Sequence, residues 1–512
     1  MWALQVSLLL PAAFALPNFL LVEVDDMDAE LGSSNVMPNL KRWLVSGGLN
    51  FTSAHVTSPI CCPSRTSLFS GRYPHNLGDN TADWCGNFTE QREDTLLVAL
   101  GNAGYAVSQV GKWYNQEPTF CKPGYVPAWK QPQGGAAAAA SDAFLLCEEG
   151  VYFGNSYNDN GVITRSGPTD YMTAVLGNRS LAFLRNATAA QPALPWVQYI
   201  GFHAPHLPAT PAPWHASAPV PFPTAPRTPS WNVGWEGKHF VVDNGIDKPM
   251  SAGLINGSDT LHVQRQRTLM SVDDYLGAAL ELLEASGALE NTYVIFTSDH
   301  GYHLGSWGLW CEKAMPYDHD TRVPLLVRGP GVAPGVASSA LVAMNVDLGP
   351  TLLELAGVPN AWPSATAPRD GRSLVPLLLT AAQGGGSGSG GGGPWRERML
   401  IEFVGWVTPF EWLSPKQFGL TPCEDAGLIN GASNRWVALR VANASATTLV
   451  ADFRPPGTNG RAATNFTEVY DLAVDPESIL NLAVGGRLPR AAVEQMRAEL
   501  WAVAECKGQA CP

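Results

Sequence analysis

Two pairs of neighbouring residues, far apart in this sequence, have the chemistry to hold a hard cation: Asp25 with Asp26, and Asp299 with His300. Adjacent carboxylates repel unless a cation neutralises them. An oxygen-rich set of this kind suits calcium or magnesium over softer metals. Alone, an Asp-Asp pair is more often a solvated turn or helix cap; the matching Asp299-His300-Gly301 turns the reading toward a metal. The second reactive segment is Ile60-Cys61-Cys62-Pro63-Ser64-Arg65, leading into a predicted helix from Ser64 to Ser70 that Gly71 stops. Outside any wider context, adjacent cysteines before a proline would be a turn with one disulfide partner. A nucleophile near a helix start instead faces free backbone N–H groups and the positive dipole end, which favours an anionic substrate. Arg65 can anchor an oxygen at position 61 by a charged hydrogen bond. Lys112, Lys313 and His206 complete a cationic set for anionic oxygens and for protonating a leaving group.

These residues need elements that bring them together. Four apolar runs read as buried strands, and each ends in one of the groups just named: Phe19 to Val24 before Asp25, Tyr105 to Val110 before Lys112, Trp196 to Phe202 before His206, and Tyr293 to Ser298 before Asp299. In parallel α/β sheets ligands bind at the carboxyl ends of strands, so one shared site is expected. Between strands, Ser271 to Ser286 carries Val272, Leu276, Ala279, Leu280 and Leu283 at helical spacing, with Ser271 as N-cap and Gly287 as stop. This stripe is packing and not a cofactor box. Gly134 to Ala140 reads as a flexible loop, and the Gly/Ser-rich run 384–393 as a linker or loop. Beyond it, Met399 to Val404, Arg435 to Val441, Thr448 to Phe453 and Glu468 to Leu472 predict a small antiparallel sheet, covered by a helix from about Pro489 to Cys506. The Pro-rich stretch Ala204 to Pro229 is expected as an ordered surface loop, in which Trp214 and His215 either pack or line a substrate rim. The expected organisation is a signal peptide at 1–15, a catalytic domain at 16–383, the linker at 384–393 and a C-terminal α+β subdomain at 394–512.

With 512 residues, 45% hydrophobic and 15% charged, the chain can bury a large core. A net charge of -13 without any basic run argues against nucleic-acid or anionic-membrane binding. An anionic substrate must therefore be held by a few local cations. Residues 2–15 read as a cleaved secretory signal ending in Ala13-Phe14-Ala15. No later apolar run reaches the about 18 residues that span a bilayer. Export to the exterior, a cell wall or a lysosome-like compartment predicts glycans, at sequons Asn50, Asn87, Asn178, Asn186, Asn256, Asn443 and Asn465, and disulfides. Setting Cys61 aside leaves eight of nine cysteines for bridges, with Cys506 and Cys511 able to close a small loop and the state of Cys62 open.

The motifs in order resemble those of a known family: Asp25-Asp26 after a strand; Cys61-x-Pro63-x-Arg65; Gly71-Arg72-Tyr73-Pro74-His75-Asn76; Gly111-Lys112-Trp113; Pro205-His206; Ser271-Val272-Asp273-Asp274; the run Thr297 to Gly305; the run Val323 to Gly331; and Val469 to Pro476. The chain resembles a type I sulfatase of the alkaline-phosphatase-like superfamily, in the N-acetylglucosamine-6-sulfatase and green-algal arylsulfatase branch. The resemblance implies an α/β fold, a large, mixed, mostly parallel sheet between helices with a smaller C-terminal antiparallel sheet plus helix. It implies that Cys61 is converted to formylglycine by a formylglycine-generating enzyme during export. Asp25, Asp26, Asp299, His300 and the modified Cys61 would hold one calcium ion. The hydrated aldehyde, anchored by Arg65, would attack a sulfate ester, with the metal, Lys112 and Lys313 as electrostatic clamps and His206 or Lys313 protonating the departing alcohol. The substrate would be an aryl sulfate or sulfated carbohydrate. Many members carry Asn where His300 stands; Tyr114 replaces a common sulfate-site histidine; Val107 stands where Ser or Thr is usual, and Ser70 where Thr or Ala is usual. Two other readings are a phosphodiester or phosphonate monoester hydrolase using the same modified cysteine, and a secreted carbohydrate-binding pseudoenzyme in which Cys61 stays a thiol.

Overall fold

The computed structural model describes residues 16–77, 93–115, 120–130, 136–147, 151–190, 193–243, 248–364, 367–380, 395–404 and 433–512. The expected signal peptide, the 384–393 segment and Asn87 lie outside the described residues. The strands of the first part are β1 (Asn18–Val24), β2 (Leu49–Phe51), β3 (Ala54–His55), β4 (Ala106–Gly111), β5 (Asp142–Leu146), β6 (Ser156–Asp159), β7 (Val162–Arg165), β8 (Trp196–Gly201), β9 (Thr292–Ser298), β10 (Leu325–Arg328), β11 (Val336–Ser338) and β12 (Val342–Ala343). Ten form one sheet in the order β11-β2-β10-β9-β1-β8-β4-β5-β6-β7, and β3 pairs with β12 separately.

The centre of the sheet, β9-β1-β8-β4-β5, is parallel, while β10 runs antiparallel between β9 and β2, and β6 and β7 fold back as a hairpin. The central strands are apolar because both faces are covered. Along β1, Phe19 and Leu21 enter one core with Leu68 and Phe69 of the Cys61–Ser70 helix and Leu348 of the Met344–Leu355 helix. Leu20, Val22 and Val24 enter the other, with Leu176 of the Met172–Ala189 helix and Leu276 and Leu280 of the Ala252–Ala285 helix. Alternate side chains of one strand thus glue a helical layer to each face.

Three local expectations are corrected. The long helix begins at Ala252, where the Ser251 hydroxyl accepts from the Leu254 N–H at 3.4 Å, so Ser271 is an interior residue and not its N-cap. Its first half buries Ser258, His262, Arg265 and Gln266, and these polar residues hide the apolar stripe that marks the second half. The Cys61–Ser70 helix starts at Cys61, not Ser64. Pro63 is tolerated there because first-turn N–H groups lack intrahelical partners anyway. Within Gly134 to Ala140, Ala136–Ala140 forms a short helix, as the helix preference of alanine favours.

The C-terminal part is a four-stranded antiparallel sheet, β13 (Arg398–Val404), β14 (Arg435–Ala442), β15 (Thr447–Phe453) and β16 (Phe466–Asp471), in that order. The Arg490–Val503 helix covers one face through Leu500 against Leu439 and Val450. On the other face Ile401, Phe403 and Trp436 share a core with Trp307, Met315 and Tyr317 of the larger part, so the two are joined by apolar packing. Cys506–Cys511 closes the small loop as expected and Cys121–Cys147 is a second bridge, with Cα separations of 5.0 and 5.4 Å. Cys62 is also disulfide-bonded, whereas its neighbour Cys61 is a free, buried cysteine. In the Pro-rich loop, Trp214 meets Tyr171 edge-on and His215 pairs with Asp274 at 2.7 Å.

Candidate active site

Side by side, β9, β1, β8 and β4 deliver Asp299-His300, Asp25-Asp26, His203 to His206, and Lys112 to one edge of the sheet. Asp26 lies at φ 70°, a turn that aspartate tolerates better than most side chains. The Asp26 N–H donates to Asp299 Oδ1 at 3.2 Å, which ties the two acidic segments together. The Cys61–Ser70 helix points its first turn at them: Cys61 Sγ lies 3.6 Å from Asp25 Oδ1 and 3.3 Å from His300 Nε2. One ligand atom each from Asp25, Asp26, Cys61 and His300 falls within 4.8 Å of the others, and all four residues are buried. Asp299 flanks this group, its Oδ1 3.6 Å from His300 Nε2.

The donor set fits a divalent cation. His300 Nδ1 faces the Gly301 carbonyl at 2.9 Å; a carbonyl only accepts, so Nδ1 bears the proton. In the neutral ring the Nε2 lone pair then faces Asp26 Oδ1 at 3.4 Å and Asp299 Oδ1, an arrangement that a cation between them would satisfy. The site also brings four buried carboxyl groups, Glu23, Asp25, Asp26 and Asp299, against the basic side chains of Arg65, Lys112 and Lys313.

Arg65 is fully buried beneath the cluster. Its Nε donates to Asp299 Oδ2 at 2.9 Å, and its Nη1 reaches Glu23 Oε2 at 2.9 Å and the Tyr199 hydroxyl at 2.7 Å. Arg65 therefore ties the second Asp299 oxygen to the helix that carries Cys61. Glu23 and Tyr199 were not singled out from the sequence. A charged residue inside the otherwise apolar run of β1 was the available signal for Glu23; Tyr199 gave none. Ser64, whose hydroxyl donates to the Asp299 carbonyl, and Asn345, which donates to Ser64 Oγ at 3.2 Å, complete this support. Burial raises the Glu23 carboxyl to about 7, with Arg65 opposing.

Lys112 Nζ is 2.6 Å from Asp25 Oδ2, and Lys313 Nζ is 2.9 Å from Asp26 Oδ1. Burial alone would raise both carboxyls. Lys112 holds Asp25 well below the usual carboxylate range, and Lys313 does the same for Asp26. Burial would likewise lower the Lys313 ammonium, but Asp26 and Glu312 hold it well above its usual value. Burial pushes the Cys61 thiol well up, so the unmodified side chain is no thiolate nucleophile. His206 lies against His203 with ring centres 4.6 Å apart and planes tilted by 33°, and its Nδ1 lies 2.7 Å from the Leu207 carbonyl. Burial lowers it to about 3. His203, which follows the β8 run ahead of His206, lies 3.4 Å from Asp25 Oδ2.

The sequence positions thus converge as their strand-end placement predicts, and this geometry has counterparts among known proteins. The Sulfatase family model matches residues 17–358. The N-acetylglucosamine-6-sulfatase of Homo sapiens is 32% identical, over 97% of this chain and 86% of its own length. The arylsulfatase of Volvox carteri is 27% identical, over 98% of this chain and 76% of its own. A structure solved with its substrate D-glucosamine-2-N,6-O-disulfate superposes with a TM-score of 0.70 at 20% identity, covering 94% of this chain and 96% of the other. The phosphonate monoester hydrolase of Silicibacter pomeroyi shares the fold with a TM-score of 0.65 at 19% identity, over 96% of each chain. With the family model spanning the buried acidic cluster and the Cys61 helix, and relatives aligned along nearly the whole length, this chain belongs to the sulfatase family and is a sulfuric ester hydrolase.

Proposed function

We propose that the protein hydrolyses the sulfate ester of a sugar or aryl alcohol, with Cys61 converted to formylglycine and calcium held by Asp25, Asp26, Asp299 and His300 beside it. The observation that carries this reading is the buried group of Asp25, Asp26, Cys61 and His300, flanked by Lys112 and Lys313. When present, the modified side chain supplies a hydrated-aldehyde nucleophile, and the ion polarises the sulfuryl oxygens. Residue 61, on the first turn of its helix, holds the reacting group where backbone N–H groups favour an anion. Burial raises the Asp299 carboxyl; Arg65 opposes that rise and orients the group. Lys112 and Lys313 bring positive charge to either side of the acidic pair, where they can take up sulfuryl oxygens without reorganising. For the leaving alcohol, Lys313 has a proton to give, whereas His206 carries its proton on Nδ1, committed to the Leu207 carbonyl, and so orients more than it donates.

The N-acetylglucosamine-6-sulfatase relatives support a sulfated sugar as natural substrate, and the disulfides support an exported protein. Among the described residues no helix is long and apolar enough to cross a membrane. The fold shared with a phosphonate monoester hydrolase supports a second reading, action on phosphate or phosphonate esters. Initial rates on matched aryl sulfate and aryl phosphate esters separate the two; a strong preference for phosphate overturns the sulfatase reading for this site. Mass spectrometry of the Cys61 peptide from active enzyme should show the aldehyde. An unmodified thiol in fully active protein would defeat the proposed nucleophile.

A further inference from the structure

Lys313 reaches the acidic pair from a loop whose backbone is unusual on both sides of it. Glu312 has φ 131° and Ala314 has φ 77°, conformations that residues with a Cβ rarely adopt. Such a turn persists only where its surroundings over-determine it. On one side the His303 N–H donates to the Glu312 carbonyl at 2.9 Å; on the other the Met315 N–H donates to Asp320 Oδ2 at 2.9 Å. His303 Nδ1 lies 2.8 Å from Asp320 Oδ1 and orients that carboxylate. Between these ties, the Ala314 carbonyl accepts two side-chain donors, Asn434 Nδ2 at 3.0 Å and Trp436 Nε1 at 3.1 Å.

Both donors come from the C-terminal sheet, Asn434 immediately before β14 and Trp436 within it, and both side chains are wholly buried. Two donors on one carbonyl occupy both of its lone pairs and block rotation of the peptide that follows Lys313 by one residue. The indole ring also packs in the shared core with Met315 and Tyr317, so the donor itself cannot swing away.

We propose that Asn434 and Trp436 are positioning residues for the sulfate-ester reaction: by fixing the Ala314 carbonyl they hold Lys313 against Asp26, which makes the C-terminal sheet a working part of the active site. The inference rests on the assignment of Lys313 as a substrate clamp, and the test separates the two.

In the full-length, formylglycine-bearing enzyme, Lys313→Ala, Asn434→Ala and Trp436→Phe are compared alone, and each of the latter two is combined with Lys313→Ala. Trp436→Phe removes the N–H while keeping an aromatic ring in the core, and it carries the test if Asn434→Ala does not fold. Each positioning variant should lower kcat/KM for an aryl sulfate about 10-fold, chiefly through kcat, as misplacement of a catalytic group does. Aldehyde content should stay near wild type, and each variant should remain folded at the assay temperature, although losing a buried hydrogen bond lowers its unfolding midpoint. In the Lys313→Ala background the same changes should cost less than about 2-fold, because the group they position is gone. Full multiplication of the two losses in the double variants overturns the proposal, as do single variants with wild-type kcat. If Lys313→Ala alone keeps wild-type activity, the clamp assignment fails and the inference falls with it; if only that variant is impaired, the inference alone fails.

Discussion

Replacing His75 tests how the chain segment after the catalytic helix is tied to the C-terminal part. Its Nδ1 lies 2.8 Å from Glu402 Oε1 on β13, and its Nε2 lies 2.8 Å from the Cys506 carbonyl beside the terminal disulfide. A carboxylate and a carbonyl both accept, so both ring nitrogens must carry hydrogen and the ring is an imidazolium. Burial would lower its pKa, but Glu402 and the Cys506 carbonyl raise it from 6.5 to about 9. A group raised in the folded state binds its proton more tightly there than in the unfolded chain. Its contribution is therefore complete below the unfolded value near 6.5 and is lost as pH rises through about 9. That difference is worth about 3 kcal/mol, a sizeable part of a typical folding stability. Urea unfolding of the wild type and of His75→Gln, which cannot ionise, should show a stability gap that narrows by about 3 kcal/mol between roughly pH 6 and pH 10. A gap that stays constant or widens across that range would refute the charged clamp.

Cys61→Ser and Asp299→Ala should each reduce sulfate-ester turnover by about three orders of magnitude or more while circular dichroism stays native; wild-type turnover in either contradicts the proposed nucleophile or ion. Dialysis against a chelator should abolish activity and lower the unfolding temperature, with calcium restoring both better than magnesium. Full activity and unchanged melting after verified metal removal would rule out the ion. Arg396 makes a bidentate pair with buried Asp347, linking the start of β13 to the Met344–Leu355 helix. Arg396→Met should cost about 3–5 kcal/mol by leaving that carboxylate unpaired; denaturant titration giving less than about 1 kcal/mol would show that the site relaxes around it.

Much of the fold was legible because its central strands are buried on both faces. Such strands are uninterrupted apolar runs, and the polar residue that ends each run marks where the sheet meets its ligand. That is why Asp25, Lys112, His206 and Asp299 could be placed at one edge before any contact was known. The elements that misled had inner faces unlike a simple stripe: the first half of the Ala252–Ala285 helix buries Arg265 and Gln266, whose partners are the Asp26 carbonyl and the Phe222 carbonyl. Burial of a charge is a property of its neighbours, and the Asp26 carbonyl that Arg265 meets lies 239 residues away.

The amino-acid sequence by itself determined four central strands of the large sheet, the small C-terminal sheet, the family and the two chemical kits, one acidic and one built on Cys61, because residue type and local spacing decide these; the six flanking strands of the large sheet are too short or too mixed to mark themselves. Tertiary structure decided the rest. It separated the adjacent cysteines, leaving Cys61 free in the acidic cluster and Cys62 disulfide-bonded. It placed Arg65 under Asp299, Glu23 and Tyr199, and it brought Asn434 and Trp436 to the turn that carries Lys313. Each of these depends on close packing between distant segments, and no local pattern encodes which buried donor will meet which acceptor.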